Sequence, residues 1–253
     1  MRSWRTLAVE ALAGLFVLFL LWEGLVRATG VAEFILPSAS SVFRAAYAAA
    51  HVLWQHTLTT MVGTLISLAV GAAFGMATGL LIGYSPAASR LLYPLLGGLQ
   101  ALPMSAFIPI FVVWFGVGNM PKVVAGALIA FFPVVVNVVT GLRTIEPELW
   151  EMLRVIGASK GQVFQKVGLP RALPYFFASL KVAAGGAFIG NVVGEMIASG
   201  RGLGYVLVLA TTSLNMPLAF AALTLLLLLG MILFISFDIL ERRMAPWAFR
   251  SEA

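Results

Sequence analysis

Six long apolar stretches constrain the fold of this chain more than any other feature. They lie near 7–27, 57–83, 91–116, 122–142, 174–198 and 218–240. About 20 apolar residues make a helix that crosses a hydrocarbon layer of about 30 Å, so each stretch is long enough to span a membrane. With 61% hydrophobic and 10% charged residues, the chain has more apolar surface than a soluble fold buries. The sequence therefore predicts an all-α polytopic membrane protein with about six transmembrane helices in a single domain, residues 1–253.

The basic residues predict the orientation of these spans. With the N-terminus inside, the cytoplasmic segments hold Arg2, Arg5, Arg90, Arg143, Arg154, Lys160, Lys166, Arg171, Arg242, Arg243 and Arg250. The outer segments hold only Arg27, Arg44, Lys122 and Arg201. Because cytoplasmic loops carry an excess of Lys and Arg, we expect both termini in the cytoplasm. A cleavable signal peptide is the alternative for the first stretch, but no small-x-small cleavage site follows it, which favours a transmembrane helix.

Small residues recur at every fourth position of the second and fifth stretches. The members of these rows are Gly63, Ser67, Gly71, Gly75, Gly79 and Gly83 in the second stretch, and Gly186, Gly190 and Gly194 in the fifth. Glycine weakens an isolated helix by about 1 kcal/mol relative to alanine, so such rows need a packing reason. In lipid that reason is close approach of helix backbones. The rows predict tight helix packing without identifying the partner helices.

Two further segments leave alternatives open. Pro103 and Pro109 interrupt the third stretch, which predicts either a broken helix beside a polar path or a kinked packing helix. Between the first two stretches, apolar side chains recur at helical spacing at Val42, Ala45, Ala46, Ala49, Val52 and Leu53. This spacing fits either an amphipathic helix on the outer surface or an ordinary solvated connector helix.

Residues 143–173, which we call the elbow segment, are polar in an otherwise apolar chain. Pro147 suits the first position of a helix that ends at Gly157. Ser159 and Gln162 have the spacing of a capping box for a second helix, which Leu169-Pro170 is expected to stop. The pattern predicts a helix–glycine–helix elbow with an apolar ridge for another protein. An amphipathic loop on lipid headgroups is the alternative.

The elbow segment resembles the cytoplasmic signature of ABC-importer permeases. That signature is a Glu-led triplet, three residues, glycine, nine residues, an aliphatic, any residue, then Leu-Pro. Glu151, Gly157, Val167 and Leu169-Pro170 match it, although the triplet reads Glu-Met-Leu in place of the usual Glu-Ala-Ala. LPSASSV, IPIFVVWFGVGNMPK, FFPVVVN and VGEMIASGRGLGYVL are similar to the nitrate, sulfonate, taurine and bicarbonate branch. The branch also includes permeases for thiamine-pyrimidine and riboflavin-type precursors.

The resemblance implies a MetI-like permease architecture in the bacterial inner membrane, without catalysis by this chain. Two permease subunits, expected to be a homodimer, would form the pore. Cytosolic ABC ATPase subunits would carry ATP and Mg²⁺, and an extracytoplasmic substrate-binding protein would deliver the solute. No cofactor is expected on this chain, and no nucleic acid or metal. The residues implied in ATPase coupling are Glu151, Gly157, Ala158, Ser159, Val167, Leu169 and Pro170.

Polar side chains at membrane depth are candidates for the translocation path, because burying them without a function is unfavourable. The candidates are Gln100, Ser105, Asn137, Asn191 and Glu195. Glu195 has an alternative position at the outer interface, bound to Arg201 or to water. If its carboxylate faces the path, it disfavours a simple anionic solute.

Other function classes find less support in the sequence. A secondary transporter driven by an ion gradient would need inverted repeats or buried acidic groups, and no convincing inverted repeat is present. A membrane-embedded enzyme lacks the G-x-x-x-x-G-K-[ST], H-E-x-x-H and G-x-S-x-G patterns. His51 and His56 have no third ligand beside them, and there is no cysteine, so a metal site is not expected.

Overall fold

The structure of the protein is a computed structural model that describes residues 4–100, 102–144 and 146–244. The described residues form helices and connecting loops, with no β-strand. Arg2 and Arg250, which contributed to the predicted orientation, lie outside the described residues.

The helices follow the predicted apolar stretches, and four further helices lie outside them. In chain order they are α1 Trp4–Thr29, α2 Ala39–Ala48, α3 Ala50–Tyr84, α4 Pro86–Gln100, α5 Ile108–Phe115, α6 Asn119–Arg143, α7 Pro147–Val155, α8 Lys160–Val163, α9 Leu169–Ala198, α10 Leu203–Thr212 and α11 Met216–Met244. Among the described residues, four helices are long and apolar enough to cross a membrane, and a bent pair could supply a fifth. The count of six spans, which includes 7–27 in α1, stays a prediction.

The third apolar stretch is a broken helix. The stretch 91–116 divides into α4 and α5, joined through a 3₁₀ turn at Met104–Phe107 and bent by 89°. Pro103 precedes that turn, and Pro109 falls in the first turn of α5, where its missing N–H breaks no helical hydrogen bond. Of the two alternatives, the structure has the broken helix.

The predicted end of the elbow at Leu169-Pro170 was also wrong. A π-helical turn at Phe164–Gly168 joins α8 to α9, so helical structure is continuous from Lys160 to Ala198. Pro170 occupies the first turn of α9, a position that tolerates proline because its N–H is unpaired there. The fifth span therefore extends directly out of the elbow segment.

The outer connector forms two helices. Val42 on α2 and Leu53 on α3 are buried in a cluster with residues of α10 and α11, including Ala221 and Ala222. Val52 is exposed, so it lies off the predicted apolar face. Serine residues begin α2: the Ser38 hydroxyl caps it, and Ser40 donates to Glu23 of α1 from both its N–H and its Oγ.

Helix α6 is the centre of the bundle, because both glycine rows lie against it. Methyl groups added to Gly75 and Gly79 of α3 would lie 2.8 Å from the Cβ atoms of Val134 and Val138. From α9, a methyl group added to Gly190 would lie 2.7 Å from the Cα of Gly126. These approaches admit no Cβ, so glycine sets the separation of α3, α6 and α9.

The three central helices have two distinct ends. At one end the Leu142 side chain packs over Gly83, and Arg171 Nη1 donates to the Thr144 carbonyl over 3.1 Å. We call this the elbow end, because the elbow segment lies there. At the opposite end, the far end, the Gly118 N–H donates to the Ala198 carbonyl over 3.0 Å. Gly116 and Gly118, both with positive φ, make the turn into α6.

We predict that Gly190→Ala lowers stability whereas Gly185→Ala does not. The added methyl at position 190 meets the α6 backbone, but a Cβ at Gly185 of the same helix meets nothing within 4 Å. Overpacking of this kind costs about 1–3 kcal/mol. Thermal unfolding in detergent measures the difference, and equal midpoints for the two variants would contradict the packing account.

Candidate functional site

A buried ion pair joins α6 to α9 at the far end of the bundle. Lys122 Nζ lies 3.2 Å from Glu195 Oε1, and the side chains are 1% and 0% exposed. The sequence placed Lys122 in an outer loop and offered Arg201 as a partner for Glu195, so both assignments are corrected. A charge this deeply buried requires an opposite charge and further hydrogen bonds to remain stable.

Those further hydrogen bonds come from α3, from α10 and from α9 itself. Thr60 Oγ1 and the Gly204 N–H donate to Glu195 Oε2 over 2.8 and 3.1 Å. Asn191 Nδ2 is 3.2 Å from Glu195 Oε1 and 3.3 Å from the Thr60 carbonyl oxygen. Both carboxylate oxygens are therefore satisfied. We call Thr60, Lys122, Asn191 and Glu195 the polar cluster.

The polar cluster also holds the N-terminus of α10. Three successive backbone N–H groups, at Gly202, Leu203 and Gly204, donate to His56 Nδ1, Thr60 Oγ1 and Glu195 Oε2 over 2.9, 2.9 and 3.1 Å. The first turn of a helix leaves its N–H groups without helical partners. Side chains of α3 and α9 supply those partners here, which fixes the preceding loop. His56 accepts through Nδ1, so its proton resides on Nε2.

Glycines make room for the cluster. A methyl group added to Gly194 would lie 2.5 Å from Lys122 Cβ, and one added to Gly202 would overlap the Glu195 carboxyl group. Gly202 has φ +108°, a conformation that glycine adopts without strain. Gly63 abuts Asn191 Oδ1, a buried oxygen without a hydrogen-bond partner. The GEMIASGRGLG stretch thus combines a charge with the glycines that let it pack.

The other predicted path residues lie outside this cluster. Gln100 and Ser105 are exposed in the bent α4–α5 segment. Asn137 Nδ2 donates to the Pro133 carbonyl of its own helix over 2.8 Å. Asn191 and Glu195 are buried in the protein interior, where they tie helices together; their assignment to the path stays a prediction. The sequence analysis did not identify Thr60 and Lys122 as members of a buried site. For Lys122, its position at the edge of an apolar span was a signal that could have indicated one.

At the elbow end, a second ion pair joins α9 to α11. Lys181 Nζ pairs with Asp238 Oδ1, and Arg242 Nε donates to Asp238 Oδ2 over 3.0 Å. Lys181 also lies 4.7 Å from the centre of the Phe234 ring. Asp238 and the Phe234 ring thus satisfy the charge of Lys181, which lies within α9.

Backbone geometry explains the glycine of the elbow segment. The Ala158 N–H donates to the Leu153 carbonyl over 2.9 Å, and the Gly157 N–H to the Arg154 carbonyl over 3.0 Å. These two bonds form a Schellman motif, which requires a left-handed residue after the helix. Gly157 has φ +87° and supplies it.

The second helix of the elbow segment begins as predicted. Ser159 and Gln162 form the capping box in both directions. Lys160 Nζ lies 5.1 Å from the centre of the Tyr84 ring, and the Phe164 ring meets the same tyrosine edge-on at 5.1 Å. These contacts fix α8 against the end of α3. Val167 and Leu169 are half-buried and Pro170 is exposed in the turn into α9.

Comparison with known proteins assigns the family. Residues 69–246 match the model of the binding-protein-dependent transport system inner membrane component. The chain belongs to this family. It is an ABC transporter permease and a multi-pass membrane protein.

Named relatives and a solved structure agree with the assignment. The chain is 34% identical to the riboflavin transport system permease protein RibX of Chloroflexus aurantiacus, over 92% of this chain and 88% of that one. It is 33% identical to the formylaminopyrimidine transport permease protein ThiX of Halalkalibacterium halodurans, over 95% and 96%. An inward-facing structure of the MetNI methionine ABC transporter aligns with a TM-score of 0.67 at 21% identity, over 78% of this chain and 97% of that chain. This structural likeness shows a MetI-like fold.

We predict that the stability losses from removing the two charges of the buried pair are not additive. Lys122→Met and Glu195→Gln each leave an uncompensated polar or charged group, which typically costs about 3–5 kcal/mol. The double variant leaves neither charge, so its loss of stability should be smaller than the sum of the two. A double-mutant cycle of thermal or denaturant unfolding in detergent measures the coupling. Additive losses would contradict a paired interaction.

Proposed function

We propose that this chain is the pore-forming permease subunit of an ATP-driven importer. The family match carries this proposal, because the matched family is defined by transport that depends on a binding protein. In the proposal, separate ABC ATPases hold ATP and Mg²⁺ in the cytoplasm, and a second copy of the chain completes the pore. An extracytoplasmic binding protein delivers the solute at the far end. Both termini then lie in the cytoplasm.

An exposed apolar ridge on α7 supports ATPase docking at the elbow segment. Met152, Val155 and Ile156 are 56%, 85% and 73% exposed. The ridge lies beside the exposed carboxylate of Glu151 and the basic side chain of Arg154. A contiguous apolar ridge rimmed by charged groups is typical of a protein interface. In the proposal the ridge enters a groove of the ATPase, and Glu151 meets a basic group there.

The helix that leaves the elbow segment supports transmission of ATPase motion. Helical structure runs without a break from Lys160 to Ala198 and reaches the polar cluster through Glu195. At 1.5 Å per residue, the 25 steps from Pro170 to Glu195 correspond to about 38 Å. A displacement at the elbow therefore moves a rigid element that crosses the membrane. Gln100 and Ser105, exposed on the bent α4–α5 segment, are the proposed path residues, together with Asn137 of α6.

The proposed solute is small and organic, with two classes to distinguish. Relatives named for riboflavin and formylaminopyrimidine match nearly the whole chain, which favours a riboflavin- or thiamine-pyrimidine-type compound. The second class is a sulfonate-, nitrate- or taurine-like anion. Burial of Glu195 against Lys122 removes the carboxylate that would have disfavoured an anion.

We predict that Gly157→Val uncouples transport while leaving the protein inserted and folded. A Cβ at position 157 meets nothing within 4 Å, so the effect comes from backbone strain of about 1–3 kcal/mol in the Schellman motif. ATP-dependent uptake should fall about tenfold or more. The measurement compares uptake and ATPase activity of the reconstituted complex.

Gly161→Val is the matched control. Gly161 lies four residues away in α8, also with nothing within 4 Å of a Cβ, but without a positive φ. This variant should retain most of the uptake. Full uptake by Gly157→Val, or equal losses of uptake in both variants, would contradict a role of the Schellman motif in coupling.

A solute assay tests the preferred class. Cells that express the permease with its ATPase and binding protein should accumulate labelled riboflavin or a hydroxymethyl- or formylaminopyrimidine in a saturable manner. Excess taurine or nitrate should not compete. Saturable uptake of taurine or nitrate alone would contradict the preferred class and leave the importer proposal intact.

A further inference from the structure

The seam between α3 and α6 carries two adjoining cavities. The cavity nearer the far end has a volume of about 330 Å³ and includes the polar side chains of Thr59, Asn119, Lys122 and Arg201. The second has a volume of about 300 Å³ and is lined only by apolar residues and glycine, among them Val70, Phe74, Leu128 and Phe131. Val123 lines both cavities. The seam is therefore polar in the cavity nearer the far end and apolar in the second cavity.

The polar cavity has one unopposed positive charge. Lys122 is already paired with Glu195, whereas the Arg201 guanidinium makes no hydrogen bond or ion pair within the described part of the chain. Among residues 4–100, 102–144 and 146–244, no acidic side chain lines this cavity. A free guanidinium beside the Asn119 amide is a suitable donor set for the oxygen atoms of a phosphate or another oxyanion.

The backbone around Arg201 is held in place before any ligand binds. Ser199 Oγ donates to the Arg201 carbonyl over 2.8 Å, and the next residue, Gly202, donates its N–H to His56 over 2.9 Å. A fixed backbone lowers the entropy lost when a ligand is bound. Ser199 and His56 thus hold the backbone on which the Arg201 cation stands.

The length of the seam matches one leaflet of a bilayer. From Thr59 in the polar cavity to Val70 in the apolar one is eleven helical residues, or about 16 Å at 1.5 Å per residue. Half of a hydrocarbon core of about 30 Å is about 15 Å. A headgroup at Arg201 would therefore place an acyl chain beside Val70 and Phe74.

We propose that the seam is a binding site for an anionic phospholipid of the leaflet at the far end. Its phosphate binds Arg201 and Asn119, and one acyl chain lies in the apolar cavity. A headgroup ammonium would find no acidic partner in the polar cavity, so a lipid without an ammonium, such as phosphatidylglycerol, is preferred over a zwitterionic one. This site does not depend on the identity of the transported solute.

Lipid competition tests the headgroup contact. The purified transporter complex is incubated with equal amounts of phosphatidylglycerol and phosphatidylcholine of identical chains, and retained lipid is quantified by native mass spectrometry. We expect enrichment of phosphatidylglycerol that falls about tenfold in Arg201→Gln, since a charge-assisted hydrogen bond is worth about 1.5–3 kcal/mol. Arg44→Gln removes an exposed arginine of α2 and should retain the enrichment. No enrichment, or equal losses in both variants, would overturn the proposal.

A second pair of variants tests the acyl-chain contact. Val70→Trp fills the apolar cavity and should reduce retention of both lipids, with the unfolding midpoint as a check of folding. Leu81→Trp changes an exposed position of the same helix outside both cavities and should leave retention unchanged. Equal retention in the two variants would exclude the seam as the acyl-chain site.

Two other occupants give distinct results, and each would overturn the proposal. Displacement of phosphatidylglycerol by millimolar taurine or riboflavin would assign the polar cavity to a soluble ligand. The chain contains no cysteine, so Val70→Cys introduces a single thiol. Rapid formation of a disulfide-linked permease dimer by this variant in membranes would assign the seam to a second copy of the chain.

Discussion

Close mutual packing of α3, α6 and α9 is the constraint on which the rest of the structure depends. Glycines of α3 and α9 approach the central helix α6 at separations that admit no Cβ. In lipid, helices gain little by burying apolar surface, so backbone contact and interhelical polar bonds must stabilise the bundle. The packing brings the start of α6 against the end of α9, which is why Lys122 and Glu195 can meet away from both lipid and water.

The two ends of this central unit differ in their physical character. At the far end, the polar cluster satisfies both charges and anchors the N-terminus of α10, so this end is held rigidly. At the elbow end, α7 leaves apolar side chains such as Val155 exposed and turns at a glycine with a left-handed conformation. The contrast suits the proposal, in which the elbow end docks on a separate ATPase.

The features of the fold that depend on local sequence patterns could be predicted from the sequence. Apolar length located the helices, small residues at every fourth position indicated close packing, and the spacing from Ser159 to Gln162 predicted a capping box that is present. The pairing of Lys122 with Glu195 could not be predicted from the sequence, because the two residues are 73 positions apart and no local pattern links them. The presence of a proline did not predict where a helix ends. Pro103 accompanies a break in the third stretch, whereas Pro170 lies in the first turn of a continuous helix. The short helix α10 was missed because its ten residues are too few for a span.

The most direct test of the account separates ATP-driven import from transport powered by an ion gradient. The permease, its ATPase and its binding protein are reconstituted into liposomes, with ATP supplied only on the side of the ATPase and with ionophores that collapse all ion gradients. Uptake of the solute carried by the binding protein is then measured over time. The account predicts uptake that persists without gradients and stops when ATP or the ATPase is omitted. Uptake that continues without the ATPase and disappears with the gradients would contradict it.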